Sequence, residues 1–447
     1  MRLANKLKVS PLILLIGLAI LLSQKKADSI PSFARQTELT CNTCHYVFPE
    51  LTAFGRQFKL NGYTYTNSEA IEETGSKAAA SVKINRTMPL SAMVQASYVN
   101  VAETQPGTQN NNMEFPQQLS FFIAGEITPM MGTFIQITYE DQGGQFGWDN
   151  TDIRFAGQTN IKGKGLTYGV TLNNSPTVQD VWNSTPAWGF PYEGSELAPS
   201  PAAATIIEDA MAQEVIGLGA YGFFNNAIYG EFTGYRSTPQ GGPLPPDGSS
   251  MNTVKGITPY WRVAVQRQFT DFYLEVGTYG LHTTQYPQGV SGLTDKYTDV
   301  AFDFQFERAI GNGNLIAHGT WIHEKQNLDA AYAIANAQNP SNKLNTFRAD
   351  AGYSFWQNYV FTLAFFSVSG DKDTLLYSPG SLDGSRTGKP NSNGFVAELD
   401  VLPWQNTKFS VQYTLYNKFN GAGDNYDGFG RSAGDNNTLY MAAWMVF

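Results

Sequence analysis

Apolar and polar residues alternate with a period of two over most of the chain, from about Ser91 to Phe447. This period is that of a β-strand with two different faces. The region has no run of roughly 18 apolar residues, the length that marks a transmembrane helix. In one segment, apolar positions face one side and polar positions the other: Phe347, Ala349, Ala351, Tyr353 and Phe355 against Arg348, Asp350, Gly352 and Ser354. Segments around 300–307, 395–401 and 409–415 repeat the pattern. Such a series predicts a membrane β-barrel.

Short and long connections alternate between the predicted strands, as in bacterial outer-membrane barrels with short periplasmic turns and long external loops. Counting back from Phe447 gives about 16 strands, and an even count places both barrel ends in the periplasm. Residues 78–88 also alternate, and counting them as a strand would give about 17 strands. Because these barrels have an even number of strands, we predict a linker or lumenal segment there, unless there is an eighteenth strand. The short links lie near Pro129, Asn225, Gln268, Gly311, Gln357 and Trp404, and the long ones near Gln109, Ser184, Pro245, Gln288, Ala335, Gly380 and Gly423.

The last segment alternates up to an aromatic carboxy-terminal residue, Phe447. This ending resembles the terminal strand that the outer-membrane barrel assembly machinery recognises. We therefore expect that machinery, together with outer-membrane lipid, among the partners of the chain.

The composition supports a lipid-facing protein and excludes other classes. Only 15% of the 447 residues are charged and 13% are aromatic, against about 25% charged in soluble proteins. Coiled coils and long amphipathic helices need more charge than this to cover a solvent face. The net charge of -9 would repel a phosphate backbone, so no nucleic-acid partner is expected.

The amino terminus has the pattern of an export signal. Arg2, Lys6 and Lys8 precede an apolar run from Pro11 to Leu22, which is shorter than the roughly 20 residues needed to span a bilayer. An uncleaved anchor helix is the alternative interpretation. We predict a signal peptide over residues 1–27 and a protein of the bacterial outer membrane.

Both cysteines of the chain lie in one motif, Cys41-Asn42-Thr43-Cys44-His45. C-x-x-C-H is the attachment sequence of c-type haem, in which two thiols add to the porphyrin vinyl groups and the histidine becomes an axial iron ligand. A disulfide or a C-x-x-C redox couple would not explain the adjacent histidine. A zinc site would need further ligands, and the next histidine is His282. We predict one covalent haem c, bound through Cys41, Cys44 and His45.

The second axial position of the iron is open in the sequence. Met88 and Met93 are the first methionines after the motif, and either could give the Met/His pair that raises a haem potential. A packing role for these methionines, with a five-coordinate or water-closed haem, is the alternative.

Four parts follow from these patterns: a signal peptide (1–27), a haem segment (28–77), a linker or lumenal segment (78–90) and an outer-membrane barrel (91–447). The predicted fold is an all-β membrane barrel of about 16 antiparallel strands. A small amino-terminal haem-binding segment, mostly helix and coil, lies at or inside it. This segment is too short for a free-standing cytochrome with a full core, so we expect it to lean on the barrel.

The haem region is similar to the fused monohaem cytochrome and porin family of outer-membrane ferrous-iron oxidases. The similarity rests on Phe33–Thr37, the haem motif, Phe48–Leu51 and Phe54–Lys59 with Asn61–Tyr63. It implies an electron-transfer oxidoreductase that takes electrons from extracellular Fe(II) and passes them to periplasmic c-type cytochromes. By matching position, it also implies thioethers at Cys41 and Cys44 and an axial bond at His45. No iron-binding residue can be matched.

Two further functions stay open. One is a porin-cytochrome conduit for another extracellular donor or another acceptor, and the other is a diffusion porin whose haem is structural. His318 and His323 lie on opposite faces of one strand and cannot share a metal there, so a structural role is expected for both. Acidic residues that could attract Fe²⁺ are Asp371, Asp373, Asp424 and Asp427 in loops and Glu275, Asp303, Glu307, Glu398 and Asp400 in the lumen. For each of them, a solvated loop position or a polar pore wall is the preferred interpretation.

Overall fold

The amino-terminal part of the protein contains only short elements. The computed structural model describes residues 31–64, 70–72, 83–85, 87–140, 145–208, 211–238 and 245–447. The predicted signal peptide lies outside these residues, and none of the helices within them is long and apolar enough to cross a bilayer. The short elements are α1 (Ser32–Thr37), α2 (Cys41–Cys44), β1 (His45–Val47), β2 (Glu50–Leu51), α3 (Ala53–Leu60), β3 (Ala70–Glu72) and β4 (Lys83–Asn85).

The rest of the chain forms a closed antiparallel barrel. Its strands are β5 (Leu90–Val101), β6 (Asn112–Thr128), β7 (Met131–Glu140), β8 (Gln145–Ile161), β9 (Lys164–Asn173), β10 (Val215–Phe224), β11 (Ile228–Ser237), β12 (Met251–Val254), β13 (Thr258–Gln268), β14 (Tyr273–Gln288), β15 (Asp295–Ile310), β16 (Gly313–Asn327), β17 (Ser341–Phe355), β18 (Tyr359–Gly370), β19 (Ser392–Trp404), β20 (Thr407–Lys418) and β21 (Thr438–Val446). β12 and β13 both pair with β14 and form one interrupted strand. The described residues therefore make 16 strands, which confirms the predicted count.

Both ends of the barrel chain meet in the wall. β21 pairs with β5, and the backbone of Phe447 exchanges two hydrogen bonds with that of Ala92. β4 pairs with β3 rather than with a barrel strand. The described part of residues 78–88 therefore adds no strand to the wall, as parity predicted.

The barrel has an apolar outside and a polar inside. On β15, the outward Phe302 and Phe304 are 54% and 39% exposed, whereas the inward Asp303 and Gln305 are 4% and 0% exposed. This is the reverse of a soluble protein and matches a wall that is solvated by lipid. The protein is therefore an outer-membrane barrel.

Short turns occupy one end of the barrel and longer connections the other, which identifies the short end as periplasmic. The sequence did not predict the turn at Lys162 and Gly163, whose φ angles of 51° and 80° suit a tight hairpin. The turns are residues 129–130, 162–163, 225–227, 269–272, 311–312, 356–358 and 405–406, and the longer connections include 102–111, 174–214, 328–340 with α4 (Asp329–Ala333), 371–391 and 419–437.

Two segments fill the lumen from opposite ends. Residues 31–64, the lumenal plug, lie at the periplasmic end, where Cys41 N–H donates to Gln405 Oε1 at 3.2 Å in a short turn. Residues 174–208, the inner loop, enter from the other end, and their first part is buried against the wall. The expectation of a haem segment at or inside the barrel therefore matches the position of the plug.

Candidate functional site

Helix α3 packs directly on the turn that carries the two cysteines. Thr52 caps α3 by accepting the Gly55 N–H at 3.2 Å, and its hydroxyl donates to the Thr43 carbonyl at 2.6 Å. A Cβ on Gly55 would collide with the Cys44 carbonyl. The local sequence thus fixes the C-x-x-C turn against a helix of the same plug.

His45 has one ring nitrogen held and the other available. Its Nδ1 lies 3.2 Å from the Pro49 carbonyl, which can only accept, so Nδ1 carries the proton and Nε2 the lone pair. Burial lowers the pKa of His45 to about 4, against smaller opposing effects of the Pro49 and Glu50 backbone. A neutral imidazole with a hydrogen-bonded Nδ1 is the ligand form of histidine.

Cys41, Cys44 and His45 line the same apolar cavity. The cavity is open on one side, and its atom-free space together with the solvent at that opening is about 1200 Å³. The plug forms one wall, the barrel a second and the inner loop a third. The barrel and inner loop contribute Ser91, Phe122, Ala124, Phe134, Val446, Asp180, Asn183 and Trp188.

The cysteines are free thiols, both partly buried. Burial raises the pKa of Cys41 and raises that of Cys44 to about 11, so both thiols are uncharged at neutral pH. Two unpaired thiols and a neutral imidazole around one apolar cavity fit a haem c. Cys41 and Cys44 would hold it by thioethers and His45 by an axial bond.

The apolar cavity adjoins a wider opening at the periplasmic end. This opening measures about 2150 Å³, including solvent, and shares Cys41, His45 and Phe48 with the cavity. Asn42 reaches its rim, where its amide donates to Gln357 Oε1 at 3.3 Å in a short turn. The candidate site is therefore closest to the periplasm.

The two methionines lie in different surroundings. Met88 is 65% exposed. Met93 is buried in a cluster with Phe122 and Ala124, which themselves line the cavity. Met93 is not one of the cavity-lining residues, and a methionine ligand stays a prediction.

The predicted lumenal acids all face inward and are buried, but most have partners. Arg262 lies 3.4 Å from Glu275 and 3.7 Å from Asp180, and it also pairs with Asp303. Glu307 pairs with Arg56 of the plug. These carboxylates therefore hold the plug and inner loop to the wall.

The predicted loop acids differ in their surroundings. Asp373 and Asp427 are buried and accept backbone N–H groups, whereas Asp371 and Asp424 are exposed. Across the described ranges, no group of three or more His, Cys, Asp or Glu side chains forms a ready metal centre.

Sequence reasoning missed several residues around the site. Lys59 and Trp188 line the cavity, and Glu50 lies beside His318 at the plug–wall contact. His318 faces the lumen, while its strand neighbour His323 faces outward and contacts Asn345, so their predicted opposite orientation is confirmed. The signal that the sequence gave for this contact was the alternation of apolar and polar residues, which placed His318 on the polar face of its strand.

No family model matches the chain, and no curated protein matches it. Solved structures with a similar chain course are porins and outer-membrane channels. They include OmpF of Salmonella typhi in complex with daunomycin (14% identity, 80% of this chain and 97% of that chain, TM-score 0.46). An anion-selective porin from Comamonas acidovorans matches at 11% identity over 80% and 98%, with a TM-score of 0.45. The outer-membrane channel DcaP of Acinetobacter baumannii matches at 9% identity over 80% and 96%, with a TM-score of 0.43.

Proposed function

We propose that the protein is an outer-membrane electron-transfer cytochrome that oxidises extracellular Fe(II) through one covalently bound haem c. The electrons pass to periplasmic c-type cytochromes or similar carriers. One observation carries the proposal: Cys41, Cys44 and His45 converge on an apolar cavity inside a membrane barrel. The similarity to fused monohaem cytochrome and porin proteins supports the donor and the direction.

Each residue of the site has a defined task in this function. A bound haem c supplies reversible one-electron transfer. Cys41 and Cys44 would hold it covalently through their sulfur atoms. His45 Nε2 would ligate its iron, with the imidazole ring held by the Pro49 carbonyl. Apolar walls such as Phe122 exclude water, which favours the reduced, less charged state.

The position of the cavity suits transfer across the membrane. The barrel wall separates a donor outside from an acceptor in the periplasm, and the opening beside Cys41 and His45 faces the periplasmic end. A soluble acceptor can approach there. One-electron transfer needs no positioned acid, base or nucleophile, so the proposed function assigns no such role to any residue of the site.

A conduit for another donor or acceptor uses the same residues and is the second candidate. A diffusion porin with a structural haem is the third candidate and is compatible with the barrel fold. The Lys59 ammonium of the plug donates to the Val178 and Asp180 carbonyls of the inner loop at 2.7 and 2.8 Å. Plug and loop therefore meet inside the bore, and a porin of this kind would have to conduct solutes past that contact.

The test is to mix the purified, haem-loaded protein with Fe²⁺ under anoxia and follow the reduced haem absorption band. We expect reduction in the wild type and none in a C41A/C44A control, which cannot attach haem. Failure of Fe²⁺ to reduce the haem would refute iron oxidation. Rapid solute flux through liposomes that contain the wild type would favour the porin alternative.

A further inference from the structure

His318 lies between two carboxylates at the contact of the plug with the barrel wall. Its Nδ1 is 2.9 Å from Asp350 Oδ2 on β17, and its Nε2 is 3.7 Å from Glu50 Oε1 of the plug. The first distance is a hydrogen bond, but the second is too long for one. The imidazole is thus oriented from behind by Asp350 and faces Glu50.

The facing atoms of His318 and Glu50 are both unpartnered. His318 Nε2 and Glu50 Oε1 are buried and have no hydrogen-bond partner in the described part of the chain. Their side chains are only 3% and 6% exposed. Burying a polar atom without a partner is unfavourable, so two such atoms that face each other mark a position suited to a ligand that bridges them.

We propose that His318 Nε2 and the Glu50 carboxylate bind a divalent cation, with Fe²⁺ as its physiological occupant. This proposal rests on the proposed function and names its substrate site. Metal–ligand bonds from imidazole nitrogen and carboxylate oxygen are about 2.0–2.2 Å. Two such bonds span the 3.7 Å between the two atoms when the angle at the metal is bent. Water completes the coordination.

The remaining geometry is that of a metal-binding histidine. Such histidines almost always donate their other ring N–H to a carboxylate, which fixes the ring and raises its basicity. Asp350 has this position for His318. Imidazole and carboxylate also suit Fe²⁺, and two protein ligands leave the ion exchangeable, as a substrate must be.

The local charge also favours a dication. When His318 is neutral, as it must be to ligate a cation, the ionisable side chains around it carry an excess of two negative charges. Four carboxylates face two guanidinium groups in this set: Glu50, Glu208, Glu307 and Asp350 against Arg56 and Arg348. A bound Fe²⁺ balances this excess, whereas a proton on His318 balances only half of it.

The inward face of β17 is exposed next to the site. Arg348 points inward from β17 and yet its side chain is 43% exposed. Phe366, which pairs with Arg348 on β18, is half-buried. A small cavity beside the site is lined by Arg348, Asp350 and His318. In this proposal the ion enters along that cavity.

The site lies next to the haem-binding part of the plug. Glu50 follows Pro49, whose carbonyl holds the His45 ring. In the reaction, bound Fe²⁺ loses one electron and becomes Fe³⁺, and the ferric haem gains that electron and becomes ferrous. No bond or proton changes place. The site thus holds the donor close to the axial ligand of the acceptor.

Binding of Co²⁺, measured by calorimetry on the haem-loaded protein in detergent, tests the site directly. We expect one site, with affinity reduced more than tenfold in H318A and E50Q and about 10–100-fold in D350N. H323A, on the same strand but facing outward, is the matched control and should bind like the wild type. Unchanged binding in H318A and E50Q would overturn the proposal, as would the absence of Co²⁺ binding to the wild type.

Kinetics with Fe²⁺ separate the failure of this site from the failure of the function. We expect H318A to raise the KM for Fe²⁺ at least tenfold while its haem spectrum and its reduction by dithionite stay normal. Equal Fe²⁺ kinetics in H318A and wild type would remove the site and leave the function. Co²⁺ binding that depends on His318, without any haem reduction by Fe²⁺, would remove the function and leave a cation site.

Discussion

The Lys59 ammonium donates a hydrogen bond to the Asp180 carbonyl at 2.8 Å and so joins the lumenal plug to the inner loop. It also donates to the Val178 carbonyl at 2.7 Å and lies 4.8 Å from the centre of the Trp188 ring. Because plug and loop enter from opposite ends, each holds the other in place.

We expect K59M to weaken the contact between the lumenal plug and the inner loop. The substitution removes two hydrogen bonds from a charged donor and leaves two carbonyls without their partner, a cost of about 2 kcal/mol. Hydrogen exchange in α3 and in residues 177–185 should become roughly 30-fold faster, as that free energy implies. K372M, at an exposed loop lysine, is the control. Unchanged hydrogen exchange in K59M would show that the contact between the plug and the inner loop does not depend on Lys59.

Gly55 determines whether the C-x-x-C turn can pack against α3. A methyl group there would overlap the Cys44 carbonyl, a backbone atom that cannot move without shifting the C-x-x-C turn. We expect G55A to lower the yield of covalent haem several-fold, measured by haem staining of the denatured protein relative to total protein. A Cβ at Gly230 of β11 would meet no atom within 4 Å, so G230A should attach haem normally. Normal attachment in G55A would show that the C-x-x-C turn tolerates a side chain at this contact.

Among the charged residues of the lumen, we expect Arg262 to be the one whose substitution lowers the stability of the barrel most. It is 0% exposed and faces Asp180, Glu275 and Asp303. Removing one partner of a buried ionic group leaves uncompensated charge and costs about 3–5 kcal/mol. R262M should therefore lower the denaturant midpoint of the barrel in detergent, monitored by tryptophan fluorescence.

Two comparisons make the Arg262 prediction specific. R262M combined with D303N should recover part of the loss, because one unpaired carboxylate is removed. R308M, at an exposed arginine of β15, should change the midpoint little. A midpoint in R262M equal to that of the wild type would show that the ionic group contributes no stability.

Asp373 should make two outer loops sensitive to acid. It accepts N–H groups of Gln338, Asn339 and Leu376 at 2.9, 3.0 and 2.9 Å and the Asn342 amide at 2.9 Å. Burial alone would raise the pKa of Asp373, but these donors outweigh it and hold the pKa below its usual value.

The direction of the pH effect follows from that lowered pKa. The carboxylate stabilises the folded loops fully above its unfolded pKa of about 3.9, and this stability is lost as pH falls through the lower folded value. Protection of the Gln338 and Leu376 amides from hydrogen exchange should therefore fall below about pH 4 in the wild type. D373N should be less protected than the wild type by about 2 kcal/mol near neutral pH, and this difference should shrink as the pH falls below about 4. D371N, at an exposed neighbour, should behave like the wild type. Acid-independent protection in the wild type would contradict the argument.

The sequence predicted the barrel wall well because alternation is a local property. The faces of β15 and β17 follow directly from every second residue. The even strand count left two possibilities for residues 78–88, and the pairing of residues 83–85 with β3 decides between them. The Lys162–Gly163 turn was missed although its glycine was a usable signal. A strand or turn was thus predictable wherever residues close together in the sequence determine it.

The contents of the lumen were not predictable in the same way. Residues 174–208 have the composition of an external loop, but Arg154 binds the Gln179 carbonyl at 2.9 Å and Trp182 is 1% exposed. Glu50 meets His318 across most of the chain length. Such contacts join segments with no common periodicity, so a single sequence carries no pattern for them.

The enclosure of the plug has a consequence for the timing of biogenesis. Residues 31–64 precede every strand of the wall, and the last residue, Phe447, pairs with Ala92 to complete the ring around them. On the proposed function, a macrocycle of haem size therefore reaches Cys41 and Cys44 most directly before this ring closes. We then expect ligation of the cofactor in the periplasm to precede membrane insertion, so that the order of the two steps determines how much of the protein carries haem.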